Sequence, residues 1–159
     1  MPSAATAHRV SQLTSFINYA EGLWFSVRDS ASDGQSFSFN GDEYRCLPDR
    51  FGSREKIEAY FGRCWSKELS RIMLCNLDPI NYQGKRYVLA DAPGPAPRKV
   101  ESLRIVSRNA SRIRVSAVLS GGGGGNKTIR YTLARTGERL TIIARTDRSN
   151  DYRYARCTS

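Results

Sequence analysis

Histidine is almost missing from this sequence: among 159 residues, His8 is the single one. It has no carboxylate or cysteine close by in the chain, so it reads as a surface residue rather than a base or a ligand. The four cysteines, Cys46, Cys64, Cys75 and Cys157, never reach the CxxC spacing of a zinc site, and a lone histidine does not complete one. No metal and no cofactor are expected. A catalytic cysteine would need a base beside it, which the distant His8 does not supply. Cys46, Cys64 and Cys75 read as core-facing, and because free cysteine is a common buried residue, no disulfide is expected. No window approaches the roughly 20 apolar residues of a membrane helix, so the chain is expected not to span a membrane. The opening MPSAATAHRV lacks the apolar core of a signal peptide. Acid is also in deficit, with 15 acidic residues against 25 basic ones, mostly arginine, and a formal net charge of +10. That surplus suits an anionic partner, and it equally suits an arginine-rich proteome with no such partner.

With a hydrophobic content of 40%, the chain is long enough to bury one core, and one α+β domain over 1–159 is expected. A division into two lobes, about 1–78 and 79–159, is the alternative. Val10, Leu13, Phe16, Ile17, Ala20, Leu23, Trp24 and Val27 recur at helical spacing and predict a long helix from about Ala5 to Val27. Asn40-Gly41 is a hairpin turn between Phe37-Phe39 and Tyr44-Leu47, and Pro48 ends the second strand. Ser53 and Ser66 each read as the cap of a short helix, with Trp65 buried between that helix pair and the sheet. A second hairpin turns at Tyr82 to Gly84. From Leu103 to Ile142 apolar residues alternate with polar ones in four strands, giving a curved antiparallel meander with one buried face. Helices segregated to one side of such a sheet make an α+β fold, either two-lobed or an NTF2-like cone.

Asn40-Gly41, Tyr44-Arg45, Leu47, Lys56, Tyr60, Ser66-Lys67-Glu68 and Asn81 to Lys85 resemble, in order and spacing, the IseA-type inhibitors of bacterial cell-wall DL-endopeptidases. The resemblance covers roughly the middle third and contains no catalytic signature. It implies a two-lobed α+β body, a secreted or envelope-associated protein whose leader is absent from the sequence as it stands, and no enzymatic activity. It also implies a cell-wall cysteine peptidase of the NlpC type as partner, inhibited by a loop inserted into its substrate groove.

Two sets of residues are candidates for contact. Asp91, Ala92, Pro93, Gly94, Pro95, Ala96 and Pro97 form a proline-stiffened surface loop that loses little entropy when it docks, and this loop is the expected partner-binding element. Gly121 to Gly125 reads as a flexible loop and lacks the Lys-Ser/Thr ending of a phosphate loop. Arg104, Arg112, Arg114 and Arg130, with Arg108 and Arg139, alternate with apolar residues and are expected to share an exposed basic face for an anionic wall polymer. No exposed aromatics accompany them for base stacking, so nucleic acid is not expected as a partner. The acids Asp42, Glu43, Asp49, Glu55, Glu58 and Glu68 read as exposed helix and hairpin charges rather than a glycosidase pair. If the fold is instead a cone with a small-molecule pocket, Tyr44, Tyr87 and Tyr131 are the inward polar candidates.

Overall fold

The computed structural model describes residues 8–158, and the first residues of the helix expected from Ala5 lie outside that range. Helix α1 spans Val10–Asp29, and Leu13, Ile17, Ala20, Leu23, Trp24 and Val27 form its buried stripe, while Val10 stays 45% exposed. Strands β1 (Ser36–Phe39) and β2 (Asp42–Cys46) follow, joined by Asn40 at φ 51° and Gly41 at φ 86°. Both angles lie in the left-handed region that a type I′ turn demands. After Pro48 comes a single 3-10 turn, Asp49–Phe51, and then helices α2 (Arg54–Phe61) and α3 (Lys67–Leu77). Each starts as its sequence predicts: the hydroxyls of Ser53 and Ser66 accept from the amides of Lys56 and Leu69, both at 3.2 Å. Strands β3 (Ile80–Tyr82) and β4 (Lys85–Leu89) form the second hairpin, and β5 (Lys99–Arg108), β6 (Arg112–Ser120), β7 (Lys127–Thr136) and β8 (Arg139–Arg145) the meander.

The strands make two antiparallel sheets, in the orders β1-β2-β4-β3 and β5-β6-β7-β8. The first draws its two hairpins from either side of residue 78. Its edges curl toward each other: Phe37 on β1 stacks on Tyr82 of β3 with ring centroids 4.2 Å apart, although two strands lie between them. A flat sheet would separate those edges by about three strand spacings of roughly 4.8 Å. Tyr44 stacks on Phe37 and Tyr87 meets it edge-on, so two of the three tyrosines proposed as inward polar groups pack here in a small aromatic cluster.

The second sheet lays Ile113, Val115, Ile129, Tyr131, Leu133 and Ile142 against α1 and forms the main core. Irregular register bends it. Glu101 and Val106 are extra residues in β5 relative to β6, and Ile143 is extra in β8 relative to β7. Such bulges increase local twist and reverse which side chains face the core beyond them. Residues 64 to 66 add to the edge of β8, the Ser66 amide donating to the Ile142 carbonyl at 2.9 Å and the Ile142 amide to the Cys64 carbonyl at 2.7 Å. Trp65 is thereby held 1% exposed, its indole N–H donating to the Ala20 carbonyl at 3.0 Å.

Two expectations are corrected. Cys75 and Cys157 are joined in a disulfide, with Cα atoms 6.0 Å apart. A link across 82 residues has no local signal; it follows from the return of the tail to α3, where the Asn76 amide donates to the carbonyls of Arg153 at 3.1 Å and Ala155 at 2.8 Å. Cys46 and Cys64 remain free, and only Cys64 is fully buried, its thiol pushed up to about 12 by desolvation. Nor is the glycine run a loose loop. It packs on the proline segment, with a Cβ at Gly121 (φ 106°) meeting the Ala96 carbonyl oxygen at 2.8 Å and one at Gly123 meeting the Pro95 ring at 3.1 Å.

Trp65→Ala should cost about 3 to 5 kcal/mol in denaturant melts as a large-to-small core change, and a loss below about 1 kcal/mol would contradict this packing. Cys157→Ser, like reduction of the wild type, should cost about 2 to 4 kcal/mol, and reductant should then leave the stability of the variant unchanged.

Candidate functional site

The exposed face of the second sheet carries the arginines, and cross-strand pairing places them. Arg104 lies opposite Ser116, and Ser116 opposite Arg130; Arg114 lies opposite Thr132, and Thr132 opposite Ala144. Long guanidinium side chains therefore surround the short ones of Thr132 and Ala144. The result is a depression of about 390 Å³ walled by Arg104, Val106, Arg114 and Arg130, with Thr132 and Thr146 among its lining. Val106 stands 50% exposed because it is the extra residue of the β5 bulge. Thr146 is fixed in place, its hydroxyl oxygen accepting from the Arg130 amide at 2.9 Å.

Among the described residues, no carboxylate lines this depression. Among the described residues the guanidinium groups of Arg104, Arg112, Arg114 and Arg130 form no salt bridge and no hydrogen bond within the chain. Arg104, Arg114 and Arg130 are thus brought together, with Arg112 on the same face one pair further along β6. The two other arginines of the expected stripe leave it. The bulge at Val106 pairs Arg108 with Ile113 and so turns it to the opposite side, and Arg139 reaches across to the Gly62 carbonyl at 3.4 Å. A larger groove, of about 690 Å³ between α2, α3 and β8, is lined by mixed charges, including the Arg71–Glu58 pair at 3.8 Å.

The proline loop is anchored more firmly than its composition predicts. Its carbonyls accept from Arg28 at Asp91, from the Tyr152 hydroxyl at Gly94 and from Arg153 at Pro97, the last at 2.9 Å. Asp91, Ala92, Gly94 and Pro95 are exposed, Pro93 is half-buried, and Ala96 and Pro97 are buried. The loop is tied down at three carbonyls, and its buried end is a lid on the core.

Beneath that lid lies a polar cluster absent from the sequence-based expectations. The Glu21 carboxylate on α1 accepts from Arg145 at 2.8 Å, from the Tyr154 hydroxyl at 2.8 Å and from the Tyr131 hydroxyl; it forms an ion pair with Arg153 at 3.0 Å, and the Glu21 carbonyl accepts from Arg153 at 2.6 Å. Asp151 accepts from Arg145 at 3.1 Å and from Arg153 at 2.8 Å. All four charged side chains are buried. Burial pulls both guanidiniums down, but the surrounding carboxylates and tyrosines outweigh it and hold them above the ordinary arginine range. Burial likewise pushes the Asp151 carboxyl up, yet Arg153 and then Arg145 hold it below its usual value. Burial and the Glu21 carboxylate push the phenols of Tyr131 and Tyr154 well above theirs. The cluster is charge-balanced and internally satisfied. Glu21 in the apolar stripe of α1 was the one legible sign of it; Arg145 was hidden because the bulge at Ile143 reverses the alternation that Leu140 and Ile142 begin.

No known protein family matches the sequence, and no curated protein matches it. Among the described residues no helix is long and apolar enough to cross a membrane.

Glu21→Gln should cost about 3 to 5 kcal/mol, since it leaves buried arginine charge uncompensated. Stability should also depend on pH at both ends. The contribution of Asp151 is present above the ordinary aspartate range and is lost as pH falls below about 4 through its depressed value. The contributions of Tyr131 and Tyr154 are present below about pH 10 and are lost as pH rises through their elevated values. Tyr154→Phe should flatten the alkaline limb in urea melts, and an unchanged limb would remove Tyr154 as its source. Because the loop is tied to the core, replacing 92–97 with a Gly-Ser linker should lower Tm measurably, and an unchanged Tm would contradict the anchoring seen at Pro97.

Proposed function

We propose that this protein is a non-enzymatic binding module for an anionic polymer, which it contacts through the exposed face of the second sheet. The observation that carries this reading is the set of unpaired guanidiniums of Arg104, Arg112, Arg114 and Arg130, three of them around one depression with no acid in its wall. Like charges held side by side on a sheet repel, and an anionic ligand would relieve that repulsion by neutralising them. The Cys75–Cys157 disulfide fits an oxidising location, which supports a secreted or envelope-associated protein and, with it, a wall polymer as the ligand.

A second reading, inhibition of a cell-wall cysteine peptidase by the segment from Asp91 to Pro97, draws support from the anchored loop. An exposed tip held by three hydrogen bonds to its carbonyls would lose little entropy on entering a groove. A small-molecule pocket in an NTF2-like cone has less support, because Arg153 and Tyr154 of the chain itself fill the polar interior around Glu21.

Replacing Arg112, Arg114 and Arg130 together with Gln should weaken retention on isolated cell walls and flatten the salt dependence, by about one unit of slope for each phosphate no longer neutralised. The triple variant should keep or raise Tm, because it relieves repulsion. Unchanged retention would remove the reading. Slowed peptidoglycan hydrolysis by a DL-endopeptidase in the presence of the triple variant and the wild type alike would favour the loop instead.

A further inference from the structure

Within the proposed polymer-binding reading, on which this step rests, we infer that the depression over Thr132 is a seat for the phosphoryl group of a phosphodiester-linked polyol polymer. Three features select that chemistry. The first is the number and origin of the cations. Arg104, Arg114 and Arg130 come from β5, β6 and β7, so they approach a bound group from different sides. A carboxylate presents two oxygens whose acceptor sites are confined to one plane. A tetrahedral phosphoryl group presents oxygens in several directions and accepts from several forks at once.

The second feature is the floor. Thr132 and Ala144 are short, and Thr132 makes no hydrogen bond within the chain through its hydroxyl among the described residues, so its O–H is free to donate to an anionic oxygen. The Thr146 oxygen already accepts from the Arg130 amide, which leaves the proton of that hydroxyl as a second donor. Among the described residues no acid in the lining competes for these arginines.

The third feature separates polyol phosphate from nucleic acid. Single strands are held by base stacking on exposed rings beside the charged groove. Here the one aromatic in the lining, Tyr131, is 1% exposed, its ring in the core and its hydroxyl on Glu21. Val106, an exposed aliphatic wall, offers contact to a carbon backbone but no stacking face.

The test is titration of the intact, oxidised protein with three probes at fixed ionic strength and matched charge: synthetic poly(glycerol phosphate), polygalacturonate and single-stranded DNA. Poly(glycerol phosphate) should bind about tenfold tighter than the other two, and inorganic phosphate should compete for it. Arg114→Gln and Arg130→Gln should each weaken it by about tenfold, and Thr132→Val by about fivefold. Arg108→Gln removes the same charge from the other side and should change affinity by less than about twofold. Equal affinity for polygalacturonate would overturn the phosphoryl seat while leaving a polyanion face intact, and equal affinity for DNA would overturn the choice of polyol. If Arg108→Gln weakens binding as much as Arg114→Gln, general charge and not this depression is responsible. Binding to none of the three probes would overturn the polymer-binding reading itself.

Discussion

Glu21 holds this fold together from its centre. A carboxylate placed in the apolar stripe of α1 must be compensated, since an isolated buried charge costs many kcal/mol, and the chain answers with Arg145 from the end of β8 and Arg153 from the tail. Two cations then need a second anion, which Asp151 provides. Each solution fixes another segment. Arg145 reaches the interior only because Ile143 bulges out of register, and Arg153 reaches it only because the tail folds back under the proline loop, where it also donates to Pro97. A hydrophobic cluster of the same volume could be as stable; what the ionic one adds is a single geometry for α1, β8, the loop and the tail.

The same constraint explains why two segments that look independent in the sequence are parts of one unit. The proline loop would be a free surface excursion if its carbonyls met only water. Instead Arg28, Tyr152 and Arg153 hold three of them, and the glycine run closes over the loop because only a residue without Cβ fits against the Ala96 carbonyl. The tail in turn is pinned by Asn76 and by Cys157. The interior that an open cone would offer to a ligand is occupied by the chain's own guanidinium and phenol.

Much of the architecture was legible because it depends on local chemistry. Asn40-Gly41, Pro48, Ser53 and Ser66 each dictate a turn, a stop or a cap within a few residues, and the structure has all four where the sequence puts them. The α1 stripe and the alternation of β6 and β7 were equally plain, and through β6 and β7 they placed Arg112, Arg114 and Arg130 on one face. What could not be read is what depends on a shift of one residue or on distant pairing. Bulges at Val106 and Ile143 reverse the faces of Arg108 and Arg145, and no pattern in β5 or β8 announces them. The disulfide and the partners of Glu21 join residues more than 80 positions apart, so only the folded chain brings them into contact.

The protein therefore holds two populations of arginine that solve opposite problems. Arg145 and Arg153 are matched one for one by Glu21 and Asp151, two positive charges against two negative, so the interior contributes nothing to the net charge of +10. The whole surplus lies outside that cluster, and on the second sheet it is concentrated where no acid answers it. A sheet face that needed only solubility would mix the signs of its charges, as the α2 and α3 surface does with Glu58 and Arg71. Around Thr132 the chain does not mix them. The interior shows that this sequence can pair its arginines where folding requires it, and that makes their lack of partners on the outer face the feature which most needs a ligand to explain it.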